Sequence, residues 1–214
     1  MNVLLSIFSG HRAALRTMLA ALAAALLLSP SLAQAQFSDS YNFLKAVRDR
    51  DGAKVMEIIG RPGSTIVNTR DRSTGQTALH IVVERRDMGW MDFLIARGAN
   101  VNTSDGEGIT PLMLATRLRF YEGAQLLLDK GAQVDKRNSS GETPLIRAVQ
   151  MRDMPLIRLL VSKGANPDIS DTLAGMSARE YAERDGRNQS ILDILDSAKT
   201  DSAKKSGPVQ GPVF

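Results

Sequence analysis

His80 is the one imidazole beyond residue 35, since His11 lies in the leading segment, and the chain has no cysteine. Those two facts limit its chemistry quickly. Without a thiol there is no disulfide, no thiolate metal site and no cysteine nucleophile. A single histidine lacks the partners that a metal centre or a hydrolytic triad needs. Carboxylates remain as general acid–base candidates, Glu107 and Glu142 among them. Both fall in turns, Asp105-Gly106-Glu107-Gly108 and Ser139-Ser140-Gly141-Glu142, where solvation keeps a carboxyl ordinary. Raising its pKa would take an enclosed pocket. The glycines follow helices or turn loops, and none has the spacing that cradles a phosphate. The residues therefore predict no catalysis, no metal and no cofactor, with a carboxylate-based hydrolase as the reading this would displace.

The formal charge of +4 is partly that of a leader, because residues 1–35 hold Arg12 and Arg16 and no acid; without them 25 Lys+Arg face 23 Asp+Glu, a net +2. Arg117, Arg119, Lys130, Lys136 and Arg137 alternate with acids, so little counterion release is on offer and no nucleic-acid partner is expected. In the leader an apolar run over residues 18–28 precedes Ser29-Pro30 and Ala33-Gln34-Ala35. That order predicts a secretory signal peptide cleaved after Ala35. Eleven residues cover only about 16 Å as a helix, against a hydrocarbon core of roughly 30 Å. The expectation is a mature chain starting at Gln36 in a bacterial periplasm, or outside the cell, with no membrane insertion.

The rest of the chain repeats. Thr77-Ala78-Leu79-His80, Thr110-Pro111-Leu112-Met113 and Thr143-Pro144-Leu145-Ile146 recur every 33 residues, in step with Leu94, Leu127 and Leu160 and with Gly98-Ala99, Gly131-Ala132 and Gly164-Ala165. A fixed period of this length signals a stack of units. In each unit the threonine caps a helix, proline suits its first position, and the glycine ends a second helix in a left-handed cap. Helices this short are marginal alone, so each pair must bury its apolar face against its neighbours. Ala46, Val82, Ala115, Ala148 and Ala182 fall in one slot of successive first helices, where close approach is needed.

Asp105-x-x-Gly108-x-Thr110-Pro111-Leu112, then Leu126-Leu127-Leu128 and Gly131-Ala132, resembles the ankyrin repeat. The resemblance implies an all-α solenoid of paired antiparallel helices with β-turn fingers, about five repeats including caps. It covers residues 36–196, between a signal peptide at 1–35 and a disordered tail at 197–214. The N-terminal cap is placed at 41–68 and the C-terminal one at 171–198. Fingers 71–75 and 171–175 carry one extra residue and are expected to bend differently. The resemblance also implies that His80 bonds neighbouring loops.

Proteins of this family hold partners on the concave face. Carried over position by position, that face includes Ser73, Thr74 and Gln76; Gly106, Glu107 and Ile109; and Ser139, Ser140 and Glu142 on the fingers. Glu84, Arg85, Arg117, Leu118, Gln150 and Met151 supply the helices. Among them Arg85, Glu107, Ile109, Arg117, Leu118, Glu142 and Met151 are the candidate partner-binding residues. Ile109, Leu118 and Met151 would form an apolar centre flanked by arginines, the composition of an interface core. Trp90, Phe120 and Tyr121 are read as packing residues. The implied function is a monomeric, non-catalytic scaffold or protective subunit for another exported protein, the alternative being an inhibitor or immunity-type protein that blocks an enzyme.

Overall fold

The computed structural model describes residues 31–61, 65–184, 186 and 188–205. Among them regular structure is helical, with ten α-helices and one 3-10 turn, Ile66–Asn68. Extended backbone pairs only in isolated antiparallel bridges, Arg70 with Thr77 and Ser170 with Ser177. Each bridge closes a finger with the extra residue, which is the different bend expected there.

Two compact units divide the chain, residues 1–42 and 43–214. Of the first, residues 31–42 are described and are helical, within α1 (Ser31–Asp49). Most of the expected leader thus lies outside the described residues, as do residues 62–64 of the loop after α2.

The second unit continues with α2 (Gly52–Ile59), then the pairs α3 (Ala78–Glu84) and α4 (Met88–Ala96), α5 (Pro111–Arg117) and α6 (Tyr121–Asp129), α7 (Pro144–Gln150) and α8 (Met154–Ser162), and α9 (Ala178–Arg184) and α10 (Gln189–Lys205). Inner helices pack in the order α3, α5, α7, α9 and outer helices in the order α4, α6, α8, α10. The small-residue slot is where they meet: Ala46, Val82, Ala115, Ala148 and Ala182 are all buried. Leu94, Leu127, Leu160 and Leu195 are the fully buried counterparts on the outer helices. α10 runs on to Lys205, past the expected tail boundary at 197, because no glycine or proline interrupts the chain before Gly207.

The caps follow their sequence signals. Thr110 and Thr143 accept from the N–H groups of Met113 and Ile146, each at 3.2 Å, with proline at the first helical position of α5 and α7. At the far end of α6, Gly131 takes φ 86°, and Ala132 N–H bonds back to the Leu127 carbonyl at 2.9 Å. A residue with a Cβ is strained in that left-handed turn.

Three kinds of tie join successive units. Fingertips exchange single backbone bonds, Gly106 N–H to Thr74 O, Ser139 N–H to Glu107 O and Thr172 N–H to Ser140 O, at 2.9, 3.0 and 2.9 Å. A Cβ on Gly108 would come within 2.7 Å of Ser139 N, so the close approach of two fingers requires glycine there. Asparagines join the loops below: Asn68 donates to Gly98 O at 2.9 Å and accepts from Asn100 N–H at 2.7 Å, and Asn102 does the same with Gly131 O and Gln133 N–H at 3.1 and 2.7 Å. In the next unit Asp135 holds that position and accepts from Asn166 N–H at 3.0 Å.

Arginines make the third tie. Arg50, Arg86, Arg119 and Arg152, in the turns between paired helices, all have positive φ, from 52° to 60°. Arg86 donates to the carbonyl of Leu118, and Arg119 to that of Met151 at 2.7 Å and to Asp153 at 3.2 Å. Arg86 and Arg119 thereby cap the C-terminus of the next inner helix, where orphan carbonyls and a partial negative charge attract a cation.

Candidate functional site

Counting the repeats as units from the cap at 41–68, units three to five (residues 105–196) carry a groove of about 700 Å³, lined by Glu107, Ile109, Arg117, Glu142, Gln150, Leu173 and Tyr181 among others. A smaller cleft of about 400 Å³ shares Gln150 and Tyr181 with it and reaches Arg184. Four of the seven expected binding residues, Glu107, Ile109, Arg117 and Glu142, thus share one groove. Arg85, Leu118 and Met151 do not line it.

Two of the four are not surface groups. Ile109, expected to project from a finger, is 4% exposed, and Glu142, expected to be a solvated acid, is 6% exposed. Both occupy the position just before the capping threonine, 33 residues apart. The finger turns that residue inward as it returns to the helix. Asp105 Oδ1 accepts from the N–H groups of Glu107 and Ile109, both at 2.9 Å, and Asn138 Oδ1 does so for Ser140 and Glu142 at the same distance. The Glu142 carboxylate is held by Arg147 at 2.8 Å and by Asn138 at 3.2 Å.

Arg85 is also drawn in, with one fifth of its side chain exposed. It donates to the carbonyls of Val47 and Arg48, pairs with Asp87 at 3.7 Å and lies over the Trp90 ring at 5.8 Å. Burial pulls its guanidinium below the ordinary value, opposed by Asp87. Leu118 packs half-buried against the core, and Met151 is half-buried as well. Trp90 meets Phe93 edge to face at 5.7 Å and Phe120 is buried, in keeping with packing roles, whereas Tyr121 stands 40% exposed on α6.

Glu107 and Arg117 remain exposed, and their side chains have no hydrogen bond or ion pair among the described residues. Across the groove Tyr181 donates to Asp171 at 2.7 Å, which pushes its phenol above the ordinary value. Leu173, in the finger at residues 171–175, is 87% exposed and escaped the sequence reading, which took that finger only as irregular. The signal available was an apolar residue inside Asp171-Thr172-Leu173-Ala174-Gly175.

His80 is fully buried. Its Nε2 bonds the Ile109 carbonyl at 2.9 Å, while Nδ1 meets the Thr77 N–H at 3.2 Å and the Thr77 hydroxyl at 2.9 Å. With Nδ1 accepting the amide, the proton sits on Nε2 and is donated to the next finger. Burial holds the imidazole below its ordinary pKa, so it is a neutral joint between units two and three.

Short helix pairs on a 33-residue period, joined by fingers and offering an open groove, define a class of repeat scaffold. Two models of ankyrin repeats match the chain, one over residues 43–138 and the other over 121–161. The chain is an ankyrin repeat protein, and its repeats define a protein-interaction module. It is also similar to a Fowlpox virus (strain NVSL) protein named for its ankyrin repeats, 31% identical over 81 residues, which cover 33% of this chain and 24% of that one. The match therefore spans about a quarter of the relative's length. No helix among the described residues is long and apolar enough to cross a membrane.

Proposed function

We propose that this chain is an exported, non-catalytic module that holds another exported protein in the groove of units three to five, as a scaffold or protective subunit. One contrast carries the reading. Most polar groups around the groove are committed internally, Glu142 to Arg147 and Asn138, and Asp171 to Tyr181, yet Glu107 and Arg117 are left free on an open surface. A rigid surface with uncommitted side chains suits recognition of a partner. A photocrosslinking residue at Gln150, placed in the producing cell, should capture one protein reproducibly, and the same probe at Lys130 on the outer side should not. Equal capture at both positions overturns the groove as the binding face. The exported product should begin at Gln36 by mass; a product retaining residues 1–35 refutes export by cleavage.

A further inference from the structure

The joint between units two and three is fastened through an imidazole, and we propose that it is an acid-released latch: protonation of His80 lets the finger of unit three, residues 105–109, come away from unit two while the joints farther along stay closed.

The bonds suit only the neutral ring. His80 stands three residues after the capping Thr77, in the first turn of α3, and is completely buried. Its Nδ1 accepts the Thr77 N–H at 3.2 Å, and its Nε2 gives a proton to the Ile109 carbonyl at 2.9 Å. An imidazolium carries a hydrogen on both nitrogens. The added one would face the Thr77 N–H, which loses its acceptor, and the charge would be shut away from water. Burial weighs most against the cation; the Ile109 carbonyl and Asp105 in the finger favour it, and Arg70, just before the finger of unit two, opposes it. The charged ring gains water by leaving its site, and the bond to Ile109 goes with it.

Position along the stack confines the effect. The same place in units three and four holds Met113 and Ile146, which take up no proton. In unit five it holds Glu180, exposed, whose carboxylate accepts the Ser177 N–H at 2.7 Å, and no later finger follows among the described residues. The released finger has one further bond to its neighbour's tip, Gly106 N–H to Thr74 O at 2.9 Å. At the opposite end of the inner helices Arg86 still clasps the Leu118 carbonyl, so the opening is a hinge at the fingers and not a separation of the units. Glu107 and Ile109 belong to the finger that moves, and the opening therefore reaches the wall of the groove, whatever the groove holds.

Hydrogen exchange on the whole chain, followed amide by amide by NMR at about pH 7.5 and about pH 5 and corrected for intrinsic exchange rates, tests this. In the open joint the imidazole regains its ordinary proton affinity, near 6.5, so that pH 5 favours opening by at most about thirtyfold. Protection of the Thr77 and Gly106 amides should fall by about fivefold or more, while that of Ser139 and Thr172, the fingertip donors at the next two joints, should change by less than about twofold. His80→Gln has an amide that accepts from Thr77 and donates to Ile109 without titrating, and it should abolish the difference. Loss of protection at Thr77 alone overturns the proposal, because the ring would then have charged in place. Equal loss at Gly106, Ser139 and Thr172, or no loss at Gly106, overturns it too. Those outcomes are read on the parent chain, so they stand even where His80→Gln does not fold.

Discussion

Replacing Asp135 with asparagine should stabilise the chain at neutral pH and lose that advantage in acid. Asn68 and Asn102 each donate to a glycine carbonyl of the next unit, Gly98 or Gly131, and accept from the backbone two residues further on. Asp135 keeps the acceptor bond, but a carboxylate has no hydrogen to offer the corresponding carbonyl, that of Gly164. Burial raises its pKa above 3.8, opposed by the Asn166 N–H. Restoring the donor is worth about 1 kcal/mol, or roughly 2–4 °C in Tm for a chain of this size. The native state holds the Asp135 proton to higher pH than the unfolded chain does. Wild-type stability from this group therefore falls as pH rises from 3.8 through the folded pKa, and the deficit is complete above it. Below 3.8 the acid is protonated in both states and can donate as an amide does. Urea unfolding followed by circular dichroism, in matched buffers from about pH 7 to about pH 3.5, should show the gap between variant and parent closing as acid is added. A gap that stays constant across that range, or an asparagine variant less stable at pH 7, refutes the reasoning.

Thr110→Ala removes the oxygen that accepts from Met113 N–H and should cost about 1 kcal/mol; an unchanged melting midpoint contradicts the cap. Gly131→Val forces a β-branched residue to φ 86° and should cost about 2 kcal/mol or more, so a variant as stable as the parent in urea rules out that turn. Because burial depresses the His80 pKa below 6.5, the unfolded chain takes up a proton that the folded one resists, and stability should decline as pH drops below 6.5. His80→Asn should flatten that slope between about pH 6.5 and 5.5, and a slope unchanged in the variant assigns it to other groups.

Much of the fold was legible because the sequence states it repeatedly. One threonine before an apolar run is weak evidence, but the same threonine, leucine and glycine at a common period specify cap, packing and turn together. Even the small-residue slot follows from register, whereas the linking role of His80 comes from the resemblance to ankyrin repeats. What stayed hidden depended on direction and on reach. Whether Ile109 and Glu142 face water or core is decided by the bonds that Asp105 and Asn138 make within their fingers, and alternation of polar and apolar residues says nothing about it. The forward ties of Arg86 and Arg119 were hidden for a different reason. Nothing in arginine favours positive φ, and long side chains spanning 32 residues of sequence find their carbonyls only once the stack exists. Leu173 was overlooked because its finger departs from the period, so no equivalent position drew attention to it.

The ties between units share one more property, a nearly constant stride. Arg86 reaches Leu118 and Arg119 reaches Met151, each 32 positions ahead, and Asn68 and Asn102 reach 30 and 29 ahead. Were the 33 residues from Arg86 to Leu118 excised, Lys-free Glu84-Arg85 would run straight into Arg119, already matched to its acceptor at Met151. A stack of this kind changed by a whole module would leave the Arg86 and Arg119 clasps each facing an acceptor of the same kind.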